Sequence, residues 1–216
     1  MAITGNKICG VCGSPISTIQ ALYSTPEMND NCYMCSNCRS KCSPFLEDKL
    51  IHAWKKYDAE NHMAFLDECA ERLQMDFVET ASVNAKDRKL LAIDAQKKWW
   101  YIPGTSDIFR LEQIKSWRLS ISTDSGEDTG LHLLKFKPPR PDMPVPGFME
   151  ELTSMKLIIQ LEEHPYADYA VVPITKEKGL FTPYRSFIKE AYDVAEQCYR
   201  LLETYSDPKV TGMIHF

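Results

Sequence analysis

Long apolar runs are missing from this chain. No uninterrupted stretch exceeds four apolar residues, far below the roughly 18–20 that a membrane-spanning helix needs. The opening, Met1-Ala2-Ile3-Thr4-Gly5-Asn6-Lys7, has no apolar h-region, so no secretory signal is read there and a cytoplasmic location is expected. Excess positive charge is missing too. The net charge is −5, which argues against non-specific nucleic-acid binding over the whole surface. No Walker loop, G-x-G-x-x-G, G-x-S-x-G or H-E-x-x-H motif is present, so the common nucleotide, hydrolase and zinc-protease signatures are excluded. Acidic residues number 30, yet the sequence fixes no pair of them. His132 and His164 sit near strand ends without an identifiable partner. An enzyme is therefore not expected.

What is present is ordinary globular material. At 216 residues the chain is one or two domains by size and long enough to bury about 70% of its unfolded surface. Apolar content of 44% and charged content of 25% exclude a wholly disordered chain. Residues 1–42 carry Lys7, Arg39 and Lys41 against Glu27 and Asp30, and the negative charge lies in the remainder. A shift this small reads as a solvated surface.

The cysteines carry the strongest signal. Six of eight fall in the first 42 residues: Cys9, Cys12, Cys32, Cys35, Cys38 and Cys42. Without an export signal, clustered thiols read as metal ligands before disulfides. Cys9-Gly10-Val11-Cys12-Gly13 is a zinc knuckle by composition, the last glycine letting the chain turn back. In one reading Cys9, Cys12, Cys35 and Cys38 make a four-sulfur tetrahedral zinc site, and Cys38 enters a helix with Arg39, Ser40 and Lys41 in its first turn. The 22 residues between Cys12 and Cys35 leave room for a hairpin and a return, as in treble-clef or zinc-ribbon fingers. Cys32 and Cys42 then pack beside the site. In the other reading Cys32, Cys35, Cys38 and Cys42 reproduce the C-x₂-C-x₂-C-x₃-C run of bacterial ferredoxins. Here Ser43 separates Cys42 from Pro44, no second run exists, and Cys9 and Cys12 are left without a role. Cys69 and Cys198 fall on apolar helical stripes and read as buried small hydrophobes.

Ser43-Pro44 reads as an N-cap and first-turn proline. Leu46, Leu50, Trp54 and Tyr57 follow on one face. Asp58-Ala59-Glu60-Asn61 reads as a polar break, after which Phe65, Leu66, Cys69, Ala70 and Leu73 rebuild a stripe. Two helices, 44–57 and about 60–74, or one bent helix, are expected. His52 and His62 there read as surface or partly buried side chains, since four cysteines already complete a zinc shell.

From Asp76 the period changes to that of strands. Strands are expected at Phe77–Thr80, Lys89–Ile93, Trp99–Ile102, Ile108–Leu111, around Trp117, Leu119 and Ile121, around Leu131, Leu133 and Phe136, at Lys156–Leu161 and at Ala170–Val172. Asp94 to Lys98 and Pro103-Gly104 read as turns. The short connections make the strands mostly antiparallel. Thr182-Pro183 opens a helix whose Phe187, Ala191, Val194, Cys198, Leu201 and Tyr205 share a face. The class is α+β: a four-cysteine zinc finger over 1–43, a helical connector over 44–75, and a strand-rich domain over 76–205, followed by a tail over 206–216. That domain is a strongly bent antiparallel sheet or partly open barrel closed by the C-terminal helix. Trp117, Leu119, Leu133, Ile159 and Leu201 are its expected core. Ile3, Ile8, Ile16, Ile19, Leu22 and Tyr23 are the apolar candidates of the finger. Lys137 to Gly147 holds five of the thirteen prolines and reads as a stiff insertion or a polyproline recognition strip.

The knuckle Cys9-Gly10-Val11-Cys12-Gly13, with Asn31-Cys32-Tyr33-Met34-Cys35-Ser36-Asn37-Cys38, resembles the finger of a bacterial family of unknown function. In that family a short treble-clef-like zinc finger is joined to a pleckstrin-homology-like (PH-like) domain. Leu90-Leu91-Ala92-Ile93-Asp94, Trp99-Trp100-Tyr101-Ile102-Pro103, Ile108-Phe109-Arg110-Leu111-Glu112-Gln113-Ile114 and the closing helix resemble its PH-like part. Cys32 stands where the family has a glycine, and the proline-rich strip is an insertion. The resemblance implies the fold and a zinc site, and no established activity.

A non-catalytic binding or adaptor protein with one structural Zn2+ and protein partners is the leading expectation. Nucleic-acid binding through the finger is a second, although the finger offers few basic groups and no aromatic residues interleaved with arginine. Membrane-surface binding is a third, resting on Lys97, Lys98, Trp99 and Trp100, which read equally as a turn leading into a core strand. An iron–sulfur protein using Cys32, Cys35, Cys38 and Cys42 is the remaining alternative.

Overall fold

A computed structural model describes residues 7–17, 27–28, 32–41, 55–123, 152–175 and 184–207. The expected helix start at Ser43-Pro44, the face of Leu46, Leu50 and Trp54, His52, Cys42, the strand around Leu131, Leu133 and Phe136, the strip Lys137 to Gly147, and Ile3, Ile19, Leu22 and Tyr23 lie outside the described residues. The chain divides into two compact units. One comprises Met1–Asp76 with Gly104–Asp107, and the other Phe77–Pro103 with Ile108–Phe216. The architecture is α+β, with antiparallel sheets throughout.

In the first unit, β1 (Lys7–Ile8) pairs with β2 (Pro15–Ile16), and β3 (Glu27–Met28) with β4 (Cys32–Tyr33). The short helix α1 (Ser36–Lys41) follows. It begins two residues before Cys38, so Arg39 and Lys41 stand in its last turn, not in its first as expected. Cations there complement the helix dipole. Helix α2 runs unbroken over Lys56–Met75. The expected polar break at Asp58 to Asn61 is its first turn, where the Asp58 carboxylate accepts the Lys55 backbone N–H at 3.4 Å. An acid three residues into a helix satisfies a donor that has no intrahelical partner.

The buried positions of α2 are Ala59, His62, Met63, Leu66 and Cys69. The stripe is therefore rotated from the expected one, with Ala70 outside and Tyr57 70% exposed. His62 is fully buried, at 1% exposure, contrary to the surface or partly buried placement expected for it. Cys9, Ile16, Met28, Met34, Cys38 and Ala59 form one apolar cluster, flanked by Val11, Cys32, Tyr33 and Cys35. The small side chain of Ala59 lets α2 join this cluster. Ile8, expected inside, is 59% exposed. Among the described residues, two-residue strands and few aliphatic side chains make this a small cluster.

Among its described residues the second unit holds seven strands and the C-terminal helix. Strands β5 (Ala81–Ala85), β6 (Arg88–Asp94), β7 (Trp99–Tyr101) and β8 (Ile108–Arg110) form a four-stranded meander. The strand expected at Phe77–Thr80 is instead extended chain leading into β5. Asp94 organises that entry. Its buried carboxylate accepts the backbone N–H groups of Val78, Gln96 and Lys97, each at 3.0 Å. Burial pushes this carboxyl up, but the three donors outweigh burial and hold it below its usual value. Leu90, Leu91, Ala92 and Ile93 in β6 are all buried, so this strand reads as a continuous apolar run and not as an alternation.

A single 3-10 turn at Leu111–Gln113 leads to β9 (Ile114–Thr123), which pairs with β10 (Leu152–Leu161), and β10 pairs with β11 (Tyr169–Pro173). These make a second, three-stranded meander. Trp117, Leu119, Met155, Leu157, Ile159, Ala170 and Val172 point inward, the period of two expected of a half-buried sheet. Helix α3 (Tyr184–Tyr205) closes the unit. Ala191, Val194, Ala195, Cys198, Tyr199 and Leu202 are its buried face. Leu201 is only half-buried, and Leu202 takes the core position expected for it. Trp117 meets Tyr199 edge-on at 6.1 Å, joining sheet to helix. Arg88 of β6 donates to the carbonyls of Pro173 and Ile174 at 2.8 Å each, tying one sheet to the end of the other. Among the described residues no helix is long and apolar enough to cross a membrane.

Candidate metal centre

The two knuckles are built in different ways. The first is the turn of the β1–β2 hairpin. Cys9 N–H donates to the Ser14 carbonyl at 2.8 Å, and Gly13 N–H donates to the Cys9 carbonyl at 3.0 Å. Gly13 has φ +72°, a left-handed conformation that glycine adopts without a Cβ clash. The second knuckle lies between β4 and α1, with Cys38 in the first turn of that helix. Gly10 N–H donates to the Tyr33 carbonyl at 2.9 Å, and Cys9 and Tyr33 form a parallel bridge. These backbone contacts bring the two knuckles together.

The result is a group of four sulfurs. The Sγ atoms of Cys9, Cys12, Cys35 and Cys38 all lie within 4.8 Å of one another. Cys9 and Cys38 are 3.9 Å apart, and Cys12 and Cys35 3.7 Å. Backbone amides point at the sulfurs: Cys35 N–H donates to Cys9 Sγ at 3.3 Å, and Cys38 N–H to Cys35 Sγ at 3.4 Å. Such bonds spread thiolate charge and orient the ligands. The four cysteines expected as ligands from their spacing are therefore together and can hold a metal ion.

The group is asymmetric. Cys9 and Cys38 are buried, at 2% and 4% exposure, Cys35 is half-buried, and Cys12 is exposed. Hydrogen bonding with the Ser14 hydroxyl and backbone holds the Cys12 thiol down to about 6. Burial pushes the Cys35 and Cys38 thiols up, and Cys38 is raised further by its sulfur neighbours. Four thiolates in one place repel one another, and a bound cation reverses that sign by making the ionised form the favoured one.

The other described cysteines do not join the group. Cys32 packs on Gly10, where a Cβ built on the glycine would lie 2.8 Å from Cys32 Cβ. Cys69 and Cys198 are buried thiols, and burial pushes Cys198 up to about 12. They behave as the expected small hydrophobes. His164 packs against Phe109 at 5.1 Å, and its Nδ1 accepts the Tyr166 N–H at 3.2 Å. Burial lowers it to about 4, so it is neutral near pH 7. The Lys97 to Trp100 group divides. Trp100 is fully buried and stacks on Phe109 at 4.4 Å, while Lys97 lies over Trp99 at 5.0 Å.

Sequence reasoning missed the apolar partners of the centre. Met28 and Met34, buried at 2% and 1%, flank the second knuckle. Their signal was the pair of methionines bracketing Cys32, in a segment poor in aliphatic residues. Compared with known protein families, with curated proteins and with solved structures, the chain finds no match.

Proposed function

We propose that the chain is a non-catalytic binding protein. In this reading one structural zinc ion on Cys9, Cys12, Cys35 and Cys38 organises a treble-clef-like finger, and a PH-like β domain presents a surface to a protein partner. The observation that carries the reading is the sulfur geometry. Zinc–sulfur bonds of about 2.3 Å give a tetrahedron with edges of about 3.8 Å. The separations of 3.7 and 3.9 Å straddle that edge. Four thiolates fill the shell and leave no position for a reacting water, which separates a structural site from a catalytic one. In a [4Fe–4S] cluster, the type held by the ferredoxin-like run, each thiolate binds a different iron, which sets the sulfurs farther apart than the edge of a single-ion tetrahedron.

The finger type is supported by a hairpin knuckle and a second knuckle that enters a helix. The PH-like reading is supported by strand order. A four-stranded meander, a three-stranded meander and a closing C-terminal helix follow one another along the chain. A protein partner is favoured over nucleic acid by the net charge of −5, and over a membrane surface by the burial of Trp100. Reduced thiols accord with a cytoplasmic setting.

The test is metal content in the full chain purified without added metal. Wild type and Cys32→Ser are expected to hold one zinc per chain, and Cys35→Ser none. Iron with sulfide in wild type, or loss of metal in both variants, would defeat the assignment.

A further inference from the structure

Four thiolates around one ion are normally equivalent in chemistry, but here they are not equivalent in access. Cys9 and Cys38 are shielded by the apolar cluster with Ile16, Met28, Met34 and Ala59. Cys12 is exposed and Cys35 half-buried, and these two face each other at 3.7 Å. An oxidant arriving from solvent therefore meets one member of a pair whose partner is within reach of a disulfide. Closing the gap from 3.7 Å to the roughly 2.05 Å of an S–S bond is a side-chain movement in a turn whose tip is in solvent. The buried pair is also held by the protein: Cys9 Sγ accepts the Cys35 N–H at 3.3 Å and lies 3.9 Å from Cys38 Sγ.

We propose that the Cys12–Cys35 pair is a peroxide-sensitive release point for the metal. The proposal rests on the metal-centre reading above and adds a regulation to that site. The Cys12 thiolate attacks one oxygen of hydrogen peroxide. An S–O bond forms, the O–O bond breaks, and hydroxide leaves, giving Cys12 sulfenic acid. The Cys35 thiolate then attacks the Cys12 sulfur, forming the S–S bond and expelling a second hydroxide. The two sulfurs supply the two electrons that reduce peroxide, and two protons from solvent turn the hydroxides into water. Two of four ligands are consumed, and the two that remain on the buried side do not retain the ion. A thiol reductant reverses the step by exchange at the disulfide.

The experiment treats the zinc-loaded full chain with hydrogen peroxide in steps, with a chromogenic chelator present. Metal content is measured first, thiols are then blocked by alkylation, and peptides are mapped by mass. The expected result is one zinc released per disulfide formed. The bond should join Cys12 to Cys35, Cys9 and Cys38 should be alkylated as free thiols, and zinc should be taken up again after reduction. A first disulfide involving Cys9, Cys38 or Cys32, or metal release with no disulfide, would overturn the proposal. So would retention of both metal and thiols at peroxide levels that oxidise the denatured chain. Absence of metal before treatment would instead defeat the metal-centre reading itself, so the two failures are distinguishable.

Discussion

A methyl group on Gly10 would lie 2.8 Å from Cys32 Cβ and 3.3 Å from Cys32 Sγ. Contacts that short force a shift, and Gly10 N–H is meanwhile fixed to the Tyr33 carbonyl. Gly10→Ala is therefore expected to cost the folded finger about 1–3 kcal/mol of overpacking. If zinc binds only the folded segment, as proposed, its affinity should fall by about 5- to 150-fold, measured by competition with a chromogenic chelator. Unchanged affinity would mean that Cys32 yields freely. The grouping of Cys9, Cys12, Cys35 and Cys38 was legible because a cysteine pair three apart has few other uses in a reduced chain. Cys32 packs beside the site as expected, but its contact with Gly10 was not legible, since it joins residues distant in sequence. The ferredoxin-like spacing around Cys32 pointed elsewhere for the same reason: spacing records which residues are near along the chain, and not which glycine lies beneath a side chain.

Arg88 shows what a single side chain does between elements. Its guanidinium donates to two carbonyls at the end of β11, and burial lowers its affinity for a proton. Hydrogen bonds from a charged donor contribute about 1.5–3 kcal/mol each. Arg88→Ala is expected to lower the unfolding free energy of the β unit by about 3–5 kcal/mol, read from denaturant midpoints at unchanged slope. Arg88→Lys, with a compact ammonium in place of the fork, should recover only part. A loss within about 0.5 kcal/mol for Arg88→Ala would show the contact to be a surface one. At this scale the strands around Trp117 and at Lys156–Leu161 were legible from their alternation. The start of α2 was not. Asp58 to Asn61 is polar enough to resemble a break, and the bonds from Lys55 N–H to Asp58 and from Ala59 N–H to the Lys55 carbonyl make it the opening turn. On α3 the expected Ala191, Val194 and Cys198 are buried, but Leu202 takes the place expected of Leu201, because the two are equally apolar and packing alone selects between them.

At the scale of the molecule, two units solve the stability problem differently. The β unit buries Trp100, Trp117, Phe109, Leu91, Ile93, Met155, Leu157 and Ile159 almost completely, a core sufficient for its size. Among the described residues, the four-cysteine unit offers Ile16, Met28, Met34 and Ala59 as its buried apolar side chains besides the cysteines and the helical Met63 and Leu66. The sequence carried this contrast in its composition, with cysteines crowded before residue 43 and alternating apolar strands after residue 76. The division of β5 to β11 into a four-stranded and a three-stranded sheet was beyond it, since pairing partners are chosen by long-range contacts. If a metal ion supplies the finger's missing stability, its binding is worth on the order of 10 kcal/mol of local folding. Hydrogen exchange of the full chain, with and without complete chelation, tests this directly. The account predicts that chelation brings fast exchange to the amides of Cys9, Gly10, Gly13, Cys35, Cys38 and Arg39, while those of β6, β9 and β10 keep their protection. Unchanged protection around the four cysteines after all metal has been removed would contradict it.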